Sequence, residues 1–105
     1  MEEELLKIIK HYGIDKQLKY IHSEYFELDE AIINHELKRS VEYEIPLTEI
    51  VGTQEHIAEE IADVMVMLEQ FRLYYDIPSM QITEIMHQKI ERQLKRIEKE
   101  NEKKQ

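Results

Sequence analysis

Only four residues in this chain interrupt a helix through their backbone chemistry: Gly13, Pro46, Gly52 and Pro78. Glycine and proline are the strongest local punctuators of structure. A 105-residue chain with so few of them lacks the tight turns that a many-stranded sheet protein requires. Its 35% of charged residues favours long helices with a solvated face. The fold class is therefore predicted to be all-α.

Hydrophobic periodicity divides the chain into four helices. Glu2 to Tyr12 carries Leu5, Ile8 and Ile9 on one side, and Gly13 ends it as a C′ residue. Asp15 is the predicted N-cap of a second helix reaching about Ser40, with Leu18, Ile21, Tyr25, Leu28 and Ile32 as its apolar stripe. Residues 41–52 break the pattern at Pro46 and are predicted as a long connection, with Thr48 and Thr53 as capping candidates. The third helix is predicted from Gln54 to Tyr75, with Ile57, Ile61, Val64, Leu68, Phe71 and Tyr75 as its core stripe. Its run Val64-Met65-Val66-Met67-Leu68 is apolar on every side, which calls for enclosure on every side, at the centre of a bundle and at a subunit contact. Asp76 to Ser79 is a turn. The fourth helix starts near Met80 and turns Ile82, Ile85, Met86, Ile90, Leu94 and Ile97 inward, and the charged tail from Glu98 onward is expected to fray. The prediction is a single domain over residues 1–105, a four-helix bundle. So short a chain has a modest core of its own, so assembly into a homodimer or homotetramer is expected.

The net charge of −9 sets the surface against nucleic acid and anionic membranes as partners. The absence of cysteine excludes disulfides, thiolate metal sites and a cysteine nucleophile. The start, MEEELLKIIK, has no basic n-region before an apolar core, and no apolar run approaches the roughly 20 residues that span a bilayer. A cytoplasmic location is expected.

The chemistry concentrates in two carboxylate pairs, Glu24 with Glu27 and Glu60 with Asp63. Each pair is spaced i, i+3 within a predicted helix and so shares one helical face. With 23 acidic residues such pairs arise often by chance, and a solvated face is the bland explanation for any one of them. Here the context is apolar: Ile21, Tyr25 and Leu28 surround Glu24, and Asp63 lies between Ala62 and Val64. Carboxylates on a buried face need a partner. If the two helices face each other, four carboxylates meet and repel unless a cation lies between them. An oxygen-only cage suits a hard divalent cation, Mg²⁺ first and Mn²⁺ as its substitute.

The segment Glu24-Tyr-Phe-Glu27-Leu-Asp-Glu30-Ala-Ile resembles the first motif of the MazG-like all-α nucleoside triphosphate pyrophosphohydrolases, and Glu59-Glu60-Ile-Ala-Asp63-Val-Met-Val-Met-Leu resembles their second. Tyr12-Gly-Ile-Asp-Lys-Gln17-Leu, ahead of the first motif, is similar to family sequence too. So is Lys89-x-x-Arg92-Gln93-x-x-Arg96 on the fourth helix. The likeness covers roughly residues 10–97. It implies Mg²⁺-dependent cleavage of a nucleoside triphosphate between the α and β phosphates. Glu24, Glu27, Glu60 and Asp63 would be the metal-binding and catalytic residues, and Lys89, Arg92 and Arg96 the contacts to the polyphosphate. Ser23 stands where many members carry a second Glu, Gln93 stands where Asn is usual, and the stretch between the motifs is long. The first of these departures removes one acidic ligand and leaves the number of ions open.

Competing readings come from other classes. Internal i, i+4 salt bridges with Glu91 and Glu98 account for the basic face of the fourth helix without any phosphate. Glu84-Ile-Met-His87 has the ExxH spacing of di-iron bundles, but such sites need a second copy, which the chain lacks. His22, His35 and His56 read as ordinary helix-surface residues. A helical interaction module, or a homologue that binds nucleotide without hydrolysing it, remains as an alternative function.

Overall fold

A single glycine sets the first corner of the fold. Gly13 takes φ +88° and ψ 155°, a region closed to L side chains, and so ends one helix and begins the next. Its N–H closes on the Ile9 carbonyl at 2.8 Å, and its own carbonyl accepts from Gln17 N at 3.1 Å. The computed structural model describes residues 1–41 and 44–104. Among them are four α-helices and no strand: α1 (Glu2–Tyr12), α2 (Ile14–Arg39), α3 (Leu47–Tyr74) and α4 (Ser79–Lys104). The all-α prediction holds. No helix among the described residues is long and apolar enough to cross a membrane.

Met1–Tyr74 forms one unit and Tyr75–Gln105 a second. Within the first, α2 and α3 pack antiparallel over most of their length, and α1 lies against both. The buried face of α2 is Gln17, Glu24, Ala31 and His35, with Ile21 and Leu28 half-buried between them. The buried face of α3 includes Ile50, Thr53, Glu60, Met67 and Gln70, with Ile57 and Val64 half-buried. From Gln17 to His35 and from Ile50 to Met67 these positions alternate steps of three and four, the spacing of a left-handed helix pair. Leu5 and Ile9 are the buried side chains of α1. Arg72 near the end of α3 ties the start of α1 down, reaching Glu2 Oε1 at 3.0 Å and Glu69 Oε2 at 2.9 Å.

Two differences from the sequence expectation have physical causes. First, α3 begins at Leu47, about two turns before Gln54. Pro46 supplies a helix start, because its missing N–H is one that no first turn can satisfy, and its carbonyl accepts from Glu49 N at 3.0 Å. Gly52 and Thr53 therefore lie inside the helix. Instead of capping it, Thr53 donates its hydroxyl to the Ile50 carbonyl at 2.7 Å. Residues 42 and 43 of the predicted connection, and residue 105 of the predicted tail, lie outside the described residues. Second, the buried seam is rotated from the apolar stripe. The two share Ile21 and Leu28 on α2 and Ile57 and Val64 on α3, yet Leu18, Tyr25 and Ile32 on α2 and Ile61 and Leu68 on α3 are exposed, while polar Gln17, Glu24 and Glu60 face inward.

In the second unit, α4 is one amphipathic helix. Ile82, Ile85, Met86, Ile90, Leu94 and Ile97 recur at helical spacing and are all exposed.

Candidate metal centre

Because α2 and α3 run antiparallel, the two i, i+3 pairs arrive at the same height with their order reversed. Glu24, Glu27, Glu60 and Asp63 each place a carboxylate oxygen within 4.8 Å of the others. The four residues singled out from the sequence are thus brought together. Glu24 and Glu60 sit in the seam, 6% and 8% exposed, and Glu27 and Asp63 form the open side.

The electrostatics of the cluster are unbalanced. Glu24 Oε2 and Glu60 Oε2 are buried and have no hydrogen-bond partner among the described residues. Leaving a buried acceptor unmet costs about 1–3 kcal/mol, more when it is charged. Burial pushes the Glu24 carboxyl above the usual carboxylate range. The negative charges of Glu27 and Asp63 push in the same direction, and a hydrogen bond from the Tyr20 hydroxyl partly opposes them. The same bond raises Tyr20, since losing its proton would set a phenolate beside a carboxylate. A fold that gathers four carboxylates and leaves two buried oxygens unmet can hold a cation there. An all-oxygen donor set fits a hard one.

Two flanking clefts extend the site. One, of about 380 Å³, is walled by Tyr12, Tyr20, Val66 and Met67 and ends at Glu24 and Asp63, with Gln17 and Gln70 also lining it. The other is lined by Glu27, Glu30, Asn34, His56 and Glu60. His56, read from the sequence as a plain surface residue, stands 3.8 Å from Glu60 Oε1 and 3.8 Å from Glu59 Oε2. Its position one turn before Glu60 was the available signal. His35 is buried rather than superficial. Its Nδ1 lies 2.7 Å from Thr53 Oγ1, and since that hydroxyl donates to Ile50, Nδ1 is the donor toward it.

Lys89, Arg92 and Arg96 lie exposed on α4 in the second unit. Comparison with protein-family models, with curated proteins and with solved structures finds no match to this chain.

Proposed function

We propose that this protein is a nucleoside triphosphate pyrophosphohydrolase of the MazG-like type, with Mg²⁺ held by Glu24, Glu27, Glu60 and Asp63. The observation that carries the reading is the convergence of the four carboxylates, two of them with buried unmet oxygens. A surface salt-bridge network would leave such oxygens in water. When bound, the divalent ion supplies positive charge for the phosphate oxygens and a site for water. Glu24 and Glu60 hold their side of the donor set rigid, because both are fixed in the helix seam. Glu27 and Asp63 close it from the open side. One of these four carboxylates, or Glu30 or Glu59 next to them in sequence or cleft, would accept the proton of the attacking water. Water adds to the α phosphorus, the α–β bridging bond breaks, and pyrophosphate departs from the nucleoside monophosphate. Lys89, Arg92 and Arg96 are assigned to the polyphosphate on the sequence pattern alone. A bulk charge of −9 accords with this chemistry, since the anionic substrate would enter together with its cation.

A panel of ribo- and deoxyribonucleoside triphosphates with Mg²⁺, followed by phosphorus NMR, tests the proposal. Pyrophosphate and a monophosphate are the expected products, EDTA stops the reaction, and Glu60→Gln abolishes it with helix content unchanged. Release of orthophosphate, or turnover indifferent to EDTA, overturns it. The exposed apolar side chains of α2 and α3 further support a homo-oligomer, in which a second copy covers Leu18, Tyr25, Ile61 and Leu68.

A further inference from the structure

Two glutamines are the most deeply buried amides of the first unit, Gln17 at 5% and Gln70 at 2% exposed, and neither has a part in holding a cation. Gln17 Nε2 donates to Gln70 Oε1 at 2.8 Å across the α2–α3 seam. Beyond that bond, both amide nitrogens reach only the Met67 sulfur, at 4.0 and 3.8 Å, a weak acceptor. Gln17 Oε1 accepts no hydrogen bond from the described residues, and both glutamines line the cleft. A pair of apolar residues would hold this seam at no greater cost, since replacing both partners of a buried hydrogen bond is often neutral. The amides also do not face a bare wall. Tyr12 and Tyr20 line the same cleft, the ammonium of Lys16 sits 5.1 Å from the Tyr12 ring centroid, and Glu24 and Asp63 line it too.

We infer that this cleft is the nucleobase subsite and that the Gln17–Gln70 amide pair reads the hydrogen-bonding edge of the base. The inference rests on the proposed nucleotide chemistry and names its specificity residues. A nucleobase is flat and apolar on its faces and carries adjacent donors and acceptors on its rim. The cleft answers with the walls of Tyr12, Tyr20, Val66 and Met67 and with two lining amides whose nitrogens, beyond their mutual hydrogen bond, reach only the Met67 sulfur. The hydrogen bond from Gln17 Nε2 to Gln70 Oε1 leaves Gln17 its oxygen and Gln70 its nitrogen to present. A phosphate drawn to the cation would leave the base within reach of this pair, because Glu24 belongs to both the carboxylate cluster and the cleft wall.

The experiment follows the side-chain amide resonances of Gln17 and Gln70 in ¹⁵N-labelled full-length protein with Mg²⁺, titrated with each of the four common nucleoside monophosphates and with ribose 5-phosphate. Movement of both amide groups that differs between bases, and is absent with ribose 5-phosphate, is the expected result. Equal movement with ribose 5-phosphate, or none with any monophosphate, overturns the inference. In parallel, Gln70→Leu is expected to lower kcat/KM for the preferred triphosphate at least about tenfold and to narrow the spread among bases. The thermal shift caused by Mg²⁺ should be unchanged. If pyrophosphate is still released with the base ranking intact, the subsite assignment fails and the hydrolase reading stands. If no triphosphate yields pyrophosphate while the amides still respond to the base, the hydrolase reading fails and the subsite stands.

Discussion

Glu24 shows how a site can cost the protein stability. Its raised carboxyl means that the folded chain holds the proton more tightly than the unfolded chain does. Between the ordinary carboxylate value and the raised one, the native state binds more protons. Stability contributed by this group is therefore full below that window and falls as pH rises through it. In EDTA, Glu24→Gln should melt at a higher temperature than the wild type at neutral pH, by the equivalent of about 1–3 kcal/mol, since an amide needs no counter-charge. The gap should shrink as the pH is lowered through the window. With Mg²⁺ the order should reverse, because wild type gains a ligand that binds only the folded state and the variant does not. Thermal melts of both proteins across pH, with and without the ion, make the measurement. A variant less stable than wild type in EDTA would mean that the Glu24 carboxylate is already satisfied in the free protein. The carboxylates were legible in the sequence because i, i+3 spacing fixes a shared face whatever the tertiary structure does. Gln17 and Gln70 were not, because neutral amides at seam positions look like ordinary polar substitutions until their partners are seen 53 residues apart.

The helices place these side chains, and two glycines test where the helices begin. Gly13 holds φ +88° at the α1–α2 corner with nothing within 4 Å of where a Cβ would sit, so the barrier to substitution there is conformational rather than steric. Gly52 also has open space around a built Cβ, but it lies within α3 at an ordinary helical φ. Gly13→Ala should therefore destabilise the protein by about 1–3 kcal/mol. Gly52→Ala should stabilise it by up to about 1 kcal/mol, the helix-propensity difference between the two residues. Denaturant midpoints of the two variants, read against wild type, give opposite signs if α3 starts at Leu47. A destabilising Gly52→Ala would place that glycine back in a connection. The early start of α3 escaped the sequence reading because Pro46, Gly52 and Thr53 are residues that also punctuate loops. Only the bond from Thr53 to Ile50 and its contact with His35 show the threonine inside a packed helix. Periodicity correctly gave the number and order of helices, and it misjudged which of two overlapping faces α2 and α3 turn to each other. Polar residues occupy the true seam, and a scale that counts apolar residues sees the neighbouring stripe instead.

The chain taken alone is poor in core. Its buried apolar side chains among the described residues are Leu5, Ile9, Ala31, Ile50 and Met67. Native stability is a small difference between large terms, and a domain of this length with so few enclosed side chains has little margin. Meanwhile Leu18, Tyr25 and Phe26 on α2 and Met65 and Leu68 on α3 are 45–67% exposed. Covering such side chains removes roughly 25 cal/mol per Å² of apolar surface from unfavourable contact with water. A second copy of the chain offers the same unfilled faces. Two copies each carrying −9 repel at long range, however, so the proposed association would be driven by the apolar faces and opposed by charge. This combination has a recognisable signature. Raising salt should tighten self-association in sedimentation equilibrium, because screening removes the repulsion and leaves the apolar term in place. The melting temperature should rise with protein concentration, as it does when folding and assembly are coupled. Leu68→Glu should dissociate the assembly and lower the melting temperature well beyond the ±0.5 kcal/mol usual for a solvent-facing substitution. A Leu68→Glu protein that melts like wild type, at any concentration, would mean that this face meets only water and that the single chain is the working unit.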